Sequence, residues 1–187
     1  MPVSSSPSGP LIEPTAALEL MQLARQAIED WIERRPRPAA AVRHSDLEKV
    51  FGLFVTLRSA KTLRGCLGQV RPREPLGQLV RELAVASASH DPRFPPVTAR
   101  EWPNLHLELS VLSAPQPMKH IGELEVGRHG VIVEQGSASG VYLPEVAVEC
   151  GFGAGEFVRR CAVEKAGLSE KEIPQARVYL FTTQGIK

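Results

Sequence analysis

Two strand-like runs joined by a short polar turn decide how this chain begins to fold: FGLFVTL at residues 51–57 and LRGCLGQV at residues 63–70. The turn between them contains Ser59, Ala60 and Lys61. Two runs of similar length on either side of a tight turn are typical of a β-hairpin. The sequence therefore predicts two strands that pair side by side.

The second of these runs carries a thiol, Cys66, flanked by Gly65 and Gly68. Glycine allows a bend or a positive φ, so a thiol between glycines can be presented rather than packed. In an extended segment Arg64 and Cys66 point to the same side, and a nearby guanidinium favours the reactive thiolate. The alternative is a small buried residue in a tight hairpin, which is common for free cysteine. Both interpretations stay open on the residues alone.

Hydrophobic periodicity predicts the remaining elements. Residues 15–33 and 75–90 repeat apolar side chains at helical spacing, and residues 144–150 and 156–166 are expected to form further helices. Residues 105–111 alternate strictly, with four apolar side chains on the face expected to meet the core: Leu105, Leu107, Leu109 and Val111. Shorter strands are expected at 131–133 and 141–143, and a closing strand at 175–182.

This mixture lacks the regular strand–helix alternation of a doubly wound fold. It predicts an α+β class with a mixed, mostly antiparallel sheet and flanking helices. Residues 1–10 are rich in serine, proline and glycine, and residues 1–14 are expected to form a disordered tail before one domain at 15–187.

Composition excludes several classes of function. The chain has 187 residues, of which 43% are hydrophobic and 23% charged, with a net charge of +1. This balance gives no reason to expect a nucleic-acid partner, and the apolar runs are too short to span a membrane. Three widely spaced cysteines and an N-terminus without a signal-peptide pattern indicate the cytoplasm.

Five further residues are candidates for chemistry, and each has a structural alternative. Asp91, Arg93 and Phe94 precede a rigid proline pair, so they could line a substrate site with Arg93 as the anion contact, or simply stop a helix and fill the core. Glu108 could pair with Arg64 or act as a general base. His129 could be the base for Cys66, or an exposed turn residue.

The other cysteines and histidines carry weaker signals. Cys150 and Cys161 lie on predicted helices, where core packing explains them. No CxxC pair exists and the five histidines show no ligand-like spacing, so no metal site is expected. The sequence indicates no particular cofactor.

Several segments in one order resemble the AMMECR-type domain family, whose prokaryotic members are called AmmeMemoRadiSam system protein A. The resemblance extends over roughly residues 15–183, nearly the whole chain. The segments that carry it are GLFVTL at 52–57, LRGCLG at 63–68, DPRFPPV at 91–97, LELSVLS at 107–113, GRHGVIV at 127–133 and LPEVA at 143–147.

The resemblance implies two unequal α+β subdomains and a pathway shared with Memo-like and radical SAM proteins. In that context Cys66 would be a nucleophile or carrier thiol, Arg64 its charge partner, and Glu108 or His129 the proton-transfer group. Gly65, Gly68, Asp91, Arg93 and Phe94 would form the substrate-binding surroundings. The alternative is a non-enzymatic module that binds a small ligand or a partner protein.

Overall fold

The structure is a computed structural model that describes residues 9–36 and 42–187. The chain divides into two compact units, Met1–Leu112 with Gln184–Lys187, and Ser113–Thr183. Each unit combines an antiparallel sheet with helices, so the predicted α+β class and mostly antiparallel pairing are confirmed.

The first unit contains helices α1 (Pro14–Ile32) and α2 (Leu76–Ser89) and strands β1 (Gly52–Ser59), β2 (Thr62–Gln69) and β3 (Leu105–Leu112). The strands pair antiparallel in the order β2-β1-β3. The hairpin predicted from the sequence is therefore present.

One face of this sheet packs against α2, and α1 packs against α2 in the same hydrophobic core. Leu53, Val55 and Leu57 of β1 are completely buried there, because alternate residues of a strand share a face. The four predicted core residues of β3 are all buried, as their alternation indicates: Leu105, Leu107, Leu109 and Val111. The opposite face of the sheet carries polar side chains and is the face that matters for chemistry.

The start of the packed region differs from the prediction. Residues 1–8 of the expected tail lie outside the described residues, but Ile12 is buried and its backbone N–H donates to Oε1 of Gln184 at 2.9 Å. The first unit therefore includes residues before Thr15, where the sequence placed its beginning.

The second unit contains β4 (Gln116–Pro117), β5 (His129–Gln135), β6 (Ala138–Tyr142), α3 (Pro144–Cys150), α4 (Ala154–Arg160) and β7 (Arg177–Ile186), whose last three residues belong to the first unit. Strand β5 pairs antiparallel with β6 and β7. Phe157 of α4 stacks on Tyr142 of β6, with ring centroids 5.7 Å apart, and both lie in the core of this unit.

The helix predicted at 156–166 is not uniform. It is α-helical to Arg160 and then forms a π-helical turn, Cys161–Lys165, in which Ala166 N–H donates to Cys161 O at 3.1 Å. This wider turn lies directly against Gly140 of β6, where a Cβ would come within 2.5 Å of the Ala166 nitrogen. Apolar periodicity does not distinguish such a turn from a regular helix.

None of the helices formed by residues 9–36 and 42–187 has the length and apolar character needed to cross a membrane.

Candidate functional site

Cys66 lies in a row of polar side chains across the three strands of the first unit. It stands directly opposite Thr56 of β1, and Thr56 stands opposite Glu108 of β3. Residues directly opposite each other in a sheet share a face, so all three side chains are on the side away from the helices. The structure thus brings two of the predicted catalytic residues, Cys66 and Glu108, into one row.

A β-bulge at Arg64 creates this alignment. The hairpin pairs Ser59 with Thr62, and Arg58 with Leu63, but the next pair is Leu57 with Gly65. Arg64 is the extra residue. Without it Cys66 would stand opposite the buried Val55, because a shift of one residue moves every side chain to the other face.

The two glycines flanking Cys66 serve close packing. A Cβ on Gly65 would lie 2.3 Å from the backbone oxygen of Ser87 in α2, and a Cβ on Gly68 would lie 2.4 Å from the ring of Phe54. The space beside both glycines is therefore filled by protein, whereas the sequence suggested open space around the thiol.

Ser87 also connects α2 to the hairpin. Its hydroxyl accepts a hydrogen bond from Leu67 N–H at 3.0 Å and donates one to Val55 O at 3.0 Å. The hydroxyl therefore bridges β1 and β2 at the residue next to Cys66. Ser87 is buried, and its hydroxyl both donates and accepts a hydrogen bond. These two bonds hold this part of β2 in place.

Asp91 and Arg93 bind the outer edge of β2 at Cys66. The Cys66 N–H donates to Oδ2 of Asp91 at 2.8 Å, and Nη2 of Arg93 donates to Cys66 O at 3.1 Å. Nε and Nη2 of Arg93 also donate to the two carboxylate oxygens of Asp91, at 2.9 and 2.7 Å. β2 is an edge strand, so these two side chains satisfy backbone groups that a neighbouring strand would otherwise pair.

This pairing sets the charge state of both groups. Hydrogen bonds from the Arg93 side chain, and then from the backbone of Cys66, hold the pKa of Asp91 well below its usual range, although Asp91 is only 3% exposed. The pKa of Arg93 is raised, chiefly by its hydrogen bonds to Asp91 and to a smaller degree by the charge on Cys66. Arg93 is thus held as a cation against the backbone of Cys66.

Among the residues that the structure describes, one side chain bonds directly to the sulfur of Cys66. The Thr56 hydroxyl donates to Sγ at 3.3 Å. A hydroxyl donor and a nearby guanidinium both stabilise negative charge on sulfur. The other two cysteines differ: Cys150 is exposed, and burial raises the pKa of the Cys161 thiol to about 12.

Arg64, the expected charge partner of Cys66, is engaged elsewhere. Its Nε and Nη2 donate to the two carboxylate oxygens of Glu101, and Nη2 also donates to Pro95 O at 2.9 Å. Phe94 lies between two guanidinium groups, with its ring centroid 5.8 Å from Cζ of Arg64 and 5.5 Å from Cζ of Arg93. The expected loop is present, but it holds Arg64 away from the role that the sequence suggested.

Glu108 is bound by two cations. Oε2 accepts from Nε of Arg58 at 3.2 Å, and Oε1 lies 3.7 Å from Nζ of Lys187. These partners replace the expected pair with Arg64, and Thr56 separates Glu108 from Cys66 in the row.

His129 belongs to the second unit and is buried there. Its Nδ1 accepts a hydrogen bond from Glu125 N–H at 3.0 Å. Burial lowers its pKa, with a smaller opposing effect from Glu125. The neutral ring of His129 stabilises the turn that begins at Glu125. This arrangement fits a structural role better than the role of a free base, and the residue is not an exposed turn residue.

Two cavities of the first unit lie around α1 rather than at Cys66. One, of about 560 Å³, is lined by residues that include Asp30, Trp31 and Thr98, and the other, of about 380 Å³, by residues that include Leu18 and Arg43. Within the described ranges, no three His, Cys, Asp or Glu side chains are arranged to hold a metal ion.

Sequence reasoning missed Thr56, Ser87 and Glu101. Thr56 lies inside the predicted first strand, and its polar side chain among apolar neighbours was the available signal. The contact of Thr56 with the sulfur of Cys66 depends on the bulge, which the sequence does not reveal. Ser87 and Glu101 reach the hairpin from distant positions, so no local pattern marks them.

One family model, several relatives and a solved structure match this chain over most of its length. A sequence model described as AMMECR1 matches residues 21–186. A protein from Methanothermobacter thermautotrophicus is 39% identical over 178 residues, covering 88% of this chain and 90% of that protein. A Thermococcus gammatolerans protein is 38% identical, covering 88% and 86%. The crystal structure of the uncharacterised protein PH0010 from Pyrococcus horikoshii superposes with a TM-score of 0.86 at 35% identity, covering 94% of this chain and 92% of that chain.

Proposed function

This chain belongs to the AMMECR1 family, and we propose that it is a cysteine-dependent enzyme or catalytic accessory in which Cys66 is the nucleophile or carrier thiol. The observation that carries the proposal is the hydrogen bond from the Thr56 hydroxyl to Sγ of Cys66 at 3.3 Å. Asp91 and Arg93 support it, because they hold the Cys66 backbone and bond a guanidinium to the Cys66 carbonyl oxygen.

The proposed step is a displacement at an electrophilic carbon. The thiol first gives its proton to water, and the sulfur then forms a bond to carbon while the leaving group departs with its electron pair. Thr56 and Arg93 stabilise the sulfur's negative charge before attack. The Cys66 N–H is already bound to Asp91, so it does not serve as an oxyanion donor, and the Thr56 hydroxyl is the donor to the sulfur.

The pathway and the compartment are parts of the same proposal. We propose Memo-like and radical SAM proteins as partners, on the family resemblance alone, which is an associational argument. Three free cysteines fit the reducing cytoplasm. Purification from the native cell under gentle conditions should recover at least one of the two proteins, and recovery of neither would contradict this part.

A second candidate function is non-enzymatic binding of a small ligand or partner protein. One observation favours it: among the described residues, the charged groups near Cys66 are already paired within the chain, Arg64 with Glu101 and Glu108 with Arg58. A catalytic site usually keeps an acid or base in reach of the reacting atom. In this alternative the same residues shape a binding surface and the thiol takes no part.

Thiol labelling separates the two functions. The folded protein is treated with iodoacetamide at pH 7, and the alkylation rate of each cysteine is measured on its peptide by mass spectrometry. Cys66 should react faster than Cys150, although Cys150 is the exposed thiol, and Cys161 should react slowest. A rate for Cys66 equal to or below that of Cys150 would refute the catalytic function.

A matched pair of variants tests the observation itself. Thr56→Val removes the donor to sulfur but keeps the shape, so labelling of Cys66 should slow. Thr56→Ser keeps the hydroxyl and should retain the rate. Equal rates in the two variants would show that the hydroxyl does not activate the thiol.

A further inference from the structure

We infer that the Cys66 site acts on substrates that carry an anionic oxygen group, a carboxylate or a phosphate, close to the reacting carbon, and that Arg93 binds this group. The inference rests on the proposed function of Cys66 and names the substrate class of the same site. Four observations on the first unit support it.

The first is the way in which Arg93 is held. Its Nε and Nη2 are used by Asp91, and Nη2 also donates to Cys66 O. Within residues 9–36 and 42–187, Nη1 has no hydrogen-bond partner, and the side chain is 53% exposed. One edge of the guanidinium is therefore fixed to the protein and the other remains available to a ligand.

The second is that the guanidinium is already oriented. The hydrogen bonds to the Asp91 carboxylate and the Phe94 ring, whose centroid lies 5.5 Å from Cζ of Arg93, fix the plane of the guanidinium. A pre-oriented arginine loses little conformational freedom when it binds an oxyanion, and its planar donors match carboxylate and phosphate geometry.

The third is position. Nη2 of Arg93 donates to the backbone oxygen of Cys66 itself, at 3.1 Å. A carboxylate or phosphate bound at Nη1 would be held near that residue, and the inference therefore places the reacting carbon close to the anionic group.

The fourth is the local charge balance. Around the row, the ion pairs among the described residues join four cationic side chains to three carboxylate side chains, which leaves one cationic side chain in excess before the sulfur ionises. The cations are Arg58, Arg64, Arg93 and Lys187, and the carboxylates are Asp91, Glu101 and Glu108. A local excess of positive charge attracts anions.

Two alkylating reagents that differ in charge test the inference. Iodoacetate and iodoacetamide both place a carbon on sulfur and release iodide, but only iodoacetate carries a carboxylate. At Cys66 the rate with iodoacetate is divided by the rate with iodoacetamide, first in the folded protein and then in the urea-unfolded chain. The measured quotient is the folded ratio divided by the unfolded ratio. At low salt and pH 7 we expect this quotient to be on the order of fivefold, the effect of one cation about 5 Å away in a watery environment.

The outcomes distinguish this inference from the proposed function. Fast reaction of Cys66 with iodoacetamide but a quotient of one or below would overturn the anionic substrate class and leave the catalytic thiol standing. Slow reaction with both reagents would overturn the proposed function. A quotient that falls as salt is added supports the inference, because screening weakens the attraction.

Variants assign the selectivity to Arg93. Arg93→Gln should bring the quotient close to one, and Arg93→Lys should retain part of it. Lys61→Gln, which removes an exposed charge at the hairpin turn, is the matched control and should leave the quotient unchanged. If loss of the Asp91 partner unfolds the Gln variant, as a melting curve would show, the quotient of the unmodified protein and its salt dependence still decide the matter.

Discussion

Replacing Asp91 by asparagine should destabilise the first unit by about 3 kcal/mol at pH 7, because removing one partner of a buried ion pair leaves the other uncompensated. The carboxylate accepts hydrogen bonds from Cys66 N–H and from Nε, Nη2 and the backbone N–H of Arg93. Asparagine keeps one acceptor oxygen but replaces the other with an NH2 group, which turns a donor toward the N–H groups that the second carboxylate oxygen accepted from. Arg93 is half exposed and rehydrates, which keeps the expected loss below the upper end for such pairs.

The loss should depend on pH in a defined direction. The pKa of Asp91 in the folded state lies below its ordinary value. The Asp91 carboxylate therefore stabilises the folded protein fully when the pH is above the ordinary pKa of the group. This contribution is lost as the pH falls from the ordinary pKa toward the pKa of the folded state. The difference in the free energy of unfolding between the parent and Asp91→Asn should therefore be largest near neutral pH and should shrink from about pH 5 downward.

Urea unfolding followed by circular dichroism at pH 7, 5, 4 and 3 measures this difference. Glu125→Gln is the control, because Glu125 is an exposed carboxylate that also pairs with an arginine, Arg128, and its loss should leave the midpoint unchanged. A loss below about 0.5 kcal/mol for Asp91→Asn at pH 7, the range of ordinary surface substitutions, would refute the reasoning. So would a difference that does not shrink on acidification.

Three further outcomes are expected. Gly65→Ala should cost about 2–3 kcal/mol in urea unfolding, because its Cβ would meet the Ser87 backbone oxygen at 2.3 Å; an unchanged midpoint would show that α2 is free to move away. Cys66→Ser should change stability by less than about 1 kcal/mol, since serine can accept the same hydrogen bond on a polar face, and a larger loss would indicate a packed core thiol. The pKa of His129 is lowered in the folded state, so the parent should lose stability as the pH falls from 7 to 5 more steeply than His129→Gln; parallel curves would contradict a buried neutral ring.

Local patterns were sufficient for most of the fold. Strict alternation identified the buried face of β3, and helical spacing located α1 and α2 to within a residue or two of their ends. These signals are strong because burial on one face imposes a period of two or 3.6 on the sequence. The π-helical turn at Cys161–Lys165 was missed because it keeps the same apolar face and depends on a distant glycine, Gly140.

The candidate site was predicted only in part. The residue types and the segments that carry Cys66, Asp91, Arg93 and Phe94 were recognisable, but their pairings were not. The sequence suggested Arg64 as the cation at the thiol, whereas the structure pairs Arg64 with Glu101 and bonds Arg93 to the backbone oxygen of Cys66. A partner twenty-seven positions away along the chain leaves no trace in local spacing.

By itself the sequence determined that a hairpin carries a cysteine between glycines, since turn residues and strand-forming runs act over a few positions. Whether that thiol faces the core or the polar side was decided only by the tertiary structure. An unbroken ladder from Ser59 and Thr62 would place Cys66 opposite Val55 in the core, and the single bulged residue, Arg64, places it opposite Thr56. Arg64 is held in the bulge by Glu101, and Gly65 packs against α2, so contacts from distant parts of the chain decide which way the sulfur points.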